Sequence, residues 1–564
     1  MTDQITSANV PAGLLFILVT PFTYKSIDHF LTNKYIPYVE GIFGIITSII
    51  LFIGKSVYET HTLQYLYCGF FRLFFGLIGG SILFILLFDY FYRIMKIILD
   101  KIPTQNRNNT FSSKNLLIMY FILFAMYIFV FMIYYPGIFS YDATGQTKQA
   151  LGFIEWDTHH PVLHTFLWMV CIKLGRFTGI EGLVIYSVGS IIVVVSTCMA
   201  VITKLSKNNT PKIICMVCYL YYLLVPTLQI FSFICTKDVI FSCFLLLFVM
   251  SLRQATLSPP SVNNIAKILI YGLISILLRN NMIYVVLVLF ILSILSFIFK
   301  FNKIKTLKIP ACIFTIIIIS MIINKILFPY IGITSNDTFK ETIPVPVNQI
   351  ASVYNNDFES LSLEQRELIK CYLPTVENFS PRFADRVKFD FDMDFYNAQP
   401  EMFWNLYFDL FKAYPLRYIS AFLDLNIVYW YPFSNFPDEF SKRTYIESWI
   451  LETSNYPLVR ESKFPILLDS YEKIATFSAD WMRLPLLYQY FSLSFPFISM
   501  FICLFICIKD KRTDMILILG CFILLFLTYL LGPVSNFRYV YTFYLSMPYY
   551  ITLCLFTSKS ISNK

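Results

Sequence analysis

The stretch NLLIMYFILFAMYIFVFMIYY (115–135), followed by PGIFSYDATGQTKQALGFIEWDTHHPVLHTFLW (136–168), decides how the chain is read. The first part contains no charged residue. A bilayer core of about 30 Å takes about 20 apolar residues per helix, so 115–135 predicts a transmembrane helix. The second part opens with Pro136-Gly137 and turns polar, which predicts a helix end and then a loop.

Outward from this stretch, the apolar runs recur. PACIFTIIIISMIINKILF (310–328) is a second example. The runs predict spans at 10–30, 36–54, 70–92, 115–135, 181–203, 213–233, 239–252, 265–279, 282–299, 309–328, 486–508, 515–532 and 539–557. The expectation is an all-α polytopic membrane protein of about 13 transmembrane helices. A composition of 57% hydrophobic and only 14% charged residues excludes an ordinary soluble chain of this size and gives no nucleic-acid signature. The N-terminus carries no basic region followed by a small-residue cleavage site, so no signal peptide is expected.

Orientation follows from Lys and Arg in the short loops. Basic clusters at Arg93–Lys114, Lys204–Lys212, Lys300–Lys308 and Lys509–Arg512, with Arg253 and Lys267 flanking another loop, alternate with the spans and are assigned to the cytoplasm. Segments 136–180, 234–238, 280–281, 329–485 and 533–538 then face outside, at a plasma membrane. Residues 336–482 hold 22 acidic and 13 basic side chains, a net of −9, while the rest of the chain nets +18. An acidic translocated insert on a basic body fits this orientation. Four regions result: additional N-terminal helices (1–114), a core (115–328) with its first outer loop at 136–180, a mainly helical acidic insert (329–485), and C-terminal helices (486–564). Within the insert, 400–433 is aromatic and amphipathic. It reads either as helices on the outer membrane surface or as the core of a small helical domain.

Most of the thirteen cysteines, among them Cys198, Cys243, Cys312, Cys503 and Cys521, lie inside apolar runs and read as small hydrophobes. Cys215 and Cys218 form a C-x-x-C, but inside a membrane run, where a redox or zinc role is not expected.

The first outer loop holds three of the five histidines, His159, His160 and His164. A short helix at about 140–151 would place Asp142, Gln146 and Gln149 on one face. Pro161 suits the first turn of the next helix. Asp142 reads either as a helix cap or as a reactive carboxylate. The histidines read as interfacial packing, or as a metal site with Asp157, so a divalent metal and no cofactor both stay open. Three more outer clusters, Thr236-Lys237-Asp238, Arg279-Asn280-Asn281 and Ser535-Asn536-Phe537-Arg538-Tyr539, sit at predicted helix ends. Each basic residue could snorkel to headgroups. Recurrence on one face instead suggests a shared cavity, since ionisable groups near a membrane protein's core mark function. Cations there suit a phosphate and a carboxylate suits a general base. Activated sugars outside the cell are lipid-linked. The inferred chemistry is attack by an acceptor hydroxyl on a polyprenyl-phosphate sugar, with Asp142 as base and Lys237 or Arg538 holding the phosphate. Gln146, Gln149, His159, His160, Asp238, Arg279, Asn280 and Tyr539 complete the expected substrate site.

The loop resembles that of the GT-C superfamily of membrane glycosyltransferases, especially the protein O-mannosyltransferase and aminoarabinose transferase group. The likeness lies in Asp142-Ala-Thr-Gly-Gln146-Thr-Lys-Gln149-Ala150, then His159-His160-Pro161-Val-Leu-His164, then Trp168. The chain also resembles polytopic families of low-GC Gram-positive bacteria with P-G-x-x-x-x-D, K-D and F-R-Y elements. The resemblance implies a GT-C-like core of seven helices, perpendicular helices in the first outer loop, a lipid-phosphate sugar donor, an envelope glycan, lipid or protein acceptor, and the base at Asp142. Position 143 is Ala where the group has a second acidic residue, and His160 stands in place of its lysine. Competing readings are a transporter or flippase of a lipid-linked glycan, another envelope transferase such as a polysaccharide polymerase, and a scaffold.

Overall fold

The computed structural model describes residues 20–32, 36–67, 69–102, 110–208, 210–299, 307–334, 339–434, 445–450 and 456–556. Residues 10–19 of the first expected span, residues 103–109 and 300–306 of two basic loops, and Cys68 lie outside the described residues. Among the described residues the chain is all-helical, with isolated bridges in place of strands. Five helices are long and apolar enough to cross a membrane: Tyr38–Thr60, Ser113–Ile133, Gly182–Lys207, Lys237–Leu257 and Lys308–Tyr330. Shorter apolar helices include Lys212–Leu224, Val262–Leu278, Met282–Ile298 and Phe495–Lys509.

Lys237–Leu257 and Phe537–Phe556 form the centre, buried along most of their lengths. Around them pack Gly182–Lys207, Val262–Leu278, Ile516–Tyr529 and Phe495–Lys509. In an apolar surround a backbone carbonyl without a partner is costly, and the tyrosines answer that need. Pro548 has no N–H, so it leaves the carbonyl of Tyr544 unpaired within its own helix. The Tyr221 hydroxyl donates to that carbonyl at 2.8 Å, and the Tyr222 hydroxyl donates to the carbonyl of Leu545 at 2.9 Å. At the N-terminal side, Gly44 lets Tyr38–Thr60 lie directly on Gly80–Lys101: a Cβ there would come 2.8 Å from the backbone nitrogen of Ile85.

Three expected spans differ. Residues 213–233 form two helices, Lys212–Leu224 and Pro226–Phe231, because Pro226 cannot continue the first and opens the second. Residues 486–508 likewise divide into Pro485–Phe491 and Phe495–Lys509, the second carrying Pro496 in its first turn. The short span at 239–252 is the full 21-residue helix Lys237–Leu257. Hydropathy truncates it at Arg253, whereas Arg253 continues the helix, buried and paired with Asp514 at 3.0 Å.

The insert has its own core, built around Val347, Ile350, Ile369, Tyr372, Phe391 and Phe403. Pro400–Ala413 turns Phe403, Leu406 and Leu410 into that core and leaves Met402, Phe408 and Phe411 exposed. The domain-core reading of 400–433 therefore holds for one face, and an apolar face remains outward. The insert is tied to the bundle at one end: the Asn426 amide donates to the carbonyl of Leu530 at 2.9 Å, and the Tyr429 hydroxyl donates to that of Asn536 at 3.1 Å.

Candidate functional site

The end of the bundle that carries the insert gathers residues from four distant parts of the chain. Asp142 precedes the helix Ala143–Ala150, shorter than the expected 140–151. Its carboxylate makes no capping bond to that helix. Instead Lys237 Nζ donates to one oxygen at 2.8 Å, and Arg538 Nη1 approaches the other at 3.5 Å. The three side chains remain 17–24% exposed, so the cluster opens to the surroundings. Burial alone would raise the Asp142 carboxyl, but Lys237, Arg538 and then His160 outweigh it and hold it well below the usual carboxylate range.

Lys237 owes its place to Thr236, which caps the helix Lys237–Leu257 and accepts from the N–H of Asp238. Asp238 turns the other way and is fully buried, paired with Arg279 and bonded to the Thr236 hydroxyl. Arg279 lies over the rings of Tyr529 and Tyr539 at 4.5 and 4.9 Å. Arg538 lies over Tyr141 and Tyr539 at 5.1 and 4.8 Å, and its Nη2 donates to the Tyr539 hydroxyl at 2.7 Å. Among the described residues the Nε atoms of Arg279 and Arg538 are buried without a hydrogen-bond partner. Two cations therefore share the single carboxylate of Asp142, beside a buried Asp238–Arg279 pair, and Arg538 keeps a spare donor. That is the arrangement of an anion site.

The remaining expected residues divide. His160 sits against Gly145, where a Cβ would come 2.7 Å from its Nε2. Burial, with Asp142 opposing and Lys237 and His159 assisting, lowers its pKa to about 4, so its ring is neutral. His159 is exposed and packs edge-on to His160 at 4.6 Å. The side chains of Gln146 and Gln149 do not bond to the Asp142 carboxylate. The Gln146 amide nitrogen donates to Thr165 at 3.2 Å and its oxygen meets His164 Nδ1 at 2.9 Å, while Gln149 donates to Asp157 at 2.9 Å. They hold the loop together. Asn280 is exposed at its helix end. The Asp157 carboxylate also accepts from the N–H of His159, and among the described residues no group of three His, Cys, Asp or Glu side chains is gathered for a metal ion. The candidates Asp157, His159 and His160 thus do not assemble into a metal set.

Two participants escape a reading of the sequence. Tyr141, whose ring underlies Arg538, has a left-handed backbone with φ of 57°, uncommon for a residue of its bulk. Glu447, from the insert, bonds to it. No spacing or motif points to Glu447, which is 305 positions from Asp142. Its carboxyl is raised by burial, with Arg538 opposing.

Apart from this cluster, an apolar cavity of about 360 Å³ lies between Tyr38–Thr60, Phe495–Lys509, Ile516–Tyr529 and the insert's Pro415–Leu425. Its walls include Ile53, Trp430, Phe501, Phe526 and Leu530. Leu530 directly follows Tyr529, the ring beneath Arg279.

No curated protein and no solved structure matches the chain. Residues 155–563 match a family described as being of unknown function, DUF6020. The match covers Lys237, Arg279, Glu447 and Arg538, begins after Asp142, and spans well over half of the sequence: the chain belongs to the DUF6020 family.

Proposed function

We propose that the protein is a membrane glycosyltransferase with a GT-C-like core, about 13 spans and an outward-facing site at the plasma membrane. It moves a sugar from a polyprenyl-phosphate donor to an envelope glycan, lipid or protein. The observation that carries this reading is one cluster, Asp142 between Lys237 and Arg538; a separate apolar cavity lies in the same bundle. A phosphate head fits the first and a hydrocarbon tail fits the second.

In the reaction, the acceptor hydroxyl oxygen bonds to the anomeric carbon as the bond from that carbon to the phosphate oxygen breaks. The electron pair leaves with the phosphate, and the hydroxyl proton passes to Asp142. A carboxylate held well below its usual range is a weak base. The incoming phosphate changes that. It competes with Asp142 for Lys237 Nζ and Arg538 Nη1, loosens both from Asp142, and so restores the carboxylate's basicity only when donor is bound. Asp238 holds Arg279 in place, and neutral His160 borders the acceptor side.

The test is transfer of radiolabelled sugar from polyprenyl-phosphate donors by the purified full-length protein in vesicles. Asp142→Asn should lose transfer by at least about a hundredfold, the scale of general-base loss. Arg538→Ala should raise the donor requirement at least about tenfold, the scale of one charge-assisted contact. Movement of intact donor across the vesicle membrane with no sugar transferred would replace this reading with a flippase.

A further inference from the structure

The insert does more than cover the bundle: a stretch of it reaches the site. Residues 445–450 run beside the start of the first outer loop. Phe139 and Ile450 pair as a parallel bridge, and the Ser140 hydroxyl donates to the carbonyl of Trp449 at 2.7 Å. The stretch is fixed from behind, where the N–H of Ile446 donates to the carbonyl of Ala475 at 2.7 Å and Ser448 bonds to Glu472. At its centre Glu447 grips Tyr141 twice. The Tyr141 N–H donates to the Glu447 carboxylate at 3.3 Å, and the Glu447 N–H donates to the Tyr141 hydroxyl oxygen at 3.1 Å.

Tyr141 needs such a grip. Its left-handed backbone is unfavourable for a side chain with a Cβ, and held strain of this kind clusters at functional sites. The conformation sets two things at once. It aims the carboxylate of the next residue, Asp142, at Lys237, and it lays the Tyr141 ring under the Arg538 guanidinium at 5.1 Å. We propose that Glu447 is a positioning residue of the site. Through its two bonds to Tyr141 it fixes Asp142 and Arg538, and so makes the insert part of the phosphate site. This rests on the reading of that site as one for a lipid-linked phosphate.

A sign separates this role from the alternatives. Coulomb's law alone says that deleting a carboxylate near Arg538 tightens the binding of an anion. Positioning says that deletion loosens it, and that glutamine, whose amide oxygen can still accept from the Tyr141 N–H, restores it. The measurement is the affinity of the full-length protein in detergent for geranyl phosphate, by titration calorimetry. Glu447→Ala should weaken binding at least about fivefold, the size of one cation–π contact, while Glu447→Gln stays within about twofold of wild type. The double variant Glu447→Ala with Tyr141→Leu should be no weaker than Tyr141→Leu alone, since both act through one ring. Wild-type affinity or better in Glu447→Ala overturns the proposal, as does equal loss in Glu447→Gln and Glu447→Ala. Should Glu447→Ala fail to fold, Tyr141→Leu reads the same contact from its other partner, and unchanged affinity there overturns the proposal as well. A wild-type protein that does not bind geranyl phosphate overturns the phosphate reading itself, a result distinct from all of these.

Discussion

Asp142 and Asp238 are both carboxylates facing cations, yet their surroundings give them different work. Asp238 has no exposure and spends itself on Arg279 and Thr236. Asp238→Ala strands Arg279 in a buried position and should lower stability by about 3–5 kcal/mol, read as a large drop in melting temperature. Lys237→Ala leaves a carboxylate with some exposure and with Arg538 still at hand, so the melting temperature should shift little while phosphate affinity falls. Equal destabilisation by the two variants would mean that Lys237 is a packing element. For Asp142 the pH dependence has a definite sign. Its folded carboxyl titrates well below the ordinary value, so folding favours the ionised form. That stabilisation is complete above the unfolded value of about 3.9 and disappears as pH falls through the folded one. The melting-temperature gap between wild type and Asp142→Asn should therefore be the same at about pH 8 and about pH 5, and close only below about pH 4. A gap that narrows between pH 8 and 5 would contradict the ion pairing described here.

At the scale of elements, the first outer loop shows what a sequence can and cannot disclose. Its order of parts is legible: a helix end at Pro136-Gly137, a short helix expected at about 140–151 and found at Ala143–Ala150, and a helix entered through Pro161. So is the recurrence of Lys237, Arg279 and Arg538 at helix ends on one face. Local rules fix such features. The directions of Gln146 and Gln149 are not legible, because helical spacing places both on the side of Asp142, while His164, Thr165 and Asp157 supply nearer partners. Glu447 is invisible for the same reason: its contact depends on how the insert folds back, which no local pattern encodes. Proline breaks at Pro226 were readable in principle and were masked by continuous hydropathy. The close seat of His160 on Gly145 is testable. Gly145→Ala places a methyl 2.7 Å from the ring nitrogen, and the ring can swing away, so folding should be nearly unaffected. Displacing His160 should cost transfer several-fold, and His160→Ala added to Gly145→Ala should cost little more. Full additivity would show that the two residues act separately.

On the scale of the molecule, the charged site and the insert share one end of the bundle, and the Arg253–Asp514–Arg512 network occupies other helix ends. Reading the charge pattern as topology puts the insert outside the cell. The protein carries its own probe. Cys371, in the insert, is exposed, and the other described cysteines are buried or partly so. A membrane-impermeant maleimide added to intact cells should label a Cys68→Ser chain, and adding Cys371→Ser should abolish the label. Labelling that requires permeabilised cells would invert the topology.

The pairing of Asp142 with Arg538 joins residues 396 positions apart. Lys237 arrives 95 positions after Asp142. A ribosome feeding this chain into a membrane delivers the carboxylate first, one cation much later, and the second cation only with the helix Phe537–Phe556. The half-made protein holds an acidic group with no complete set of donors around it. The full set of donors around Asp142 exists only when the helix bearing Arg538 is seated, so the cluster is completed last, as the bundle closes.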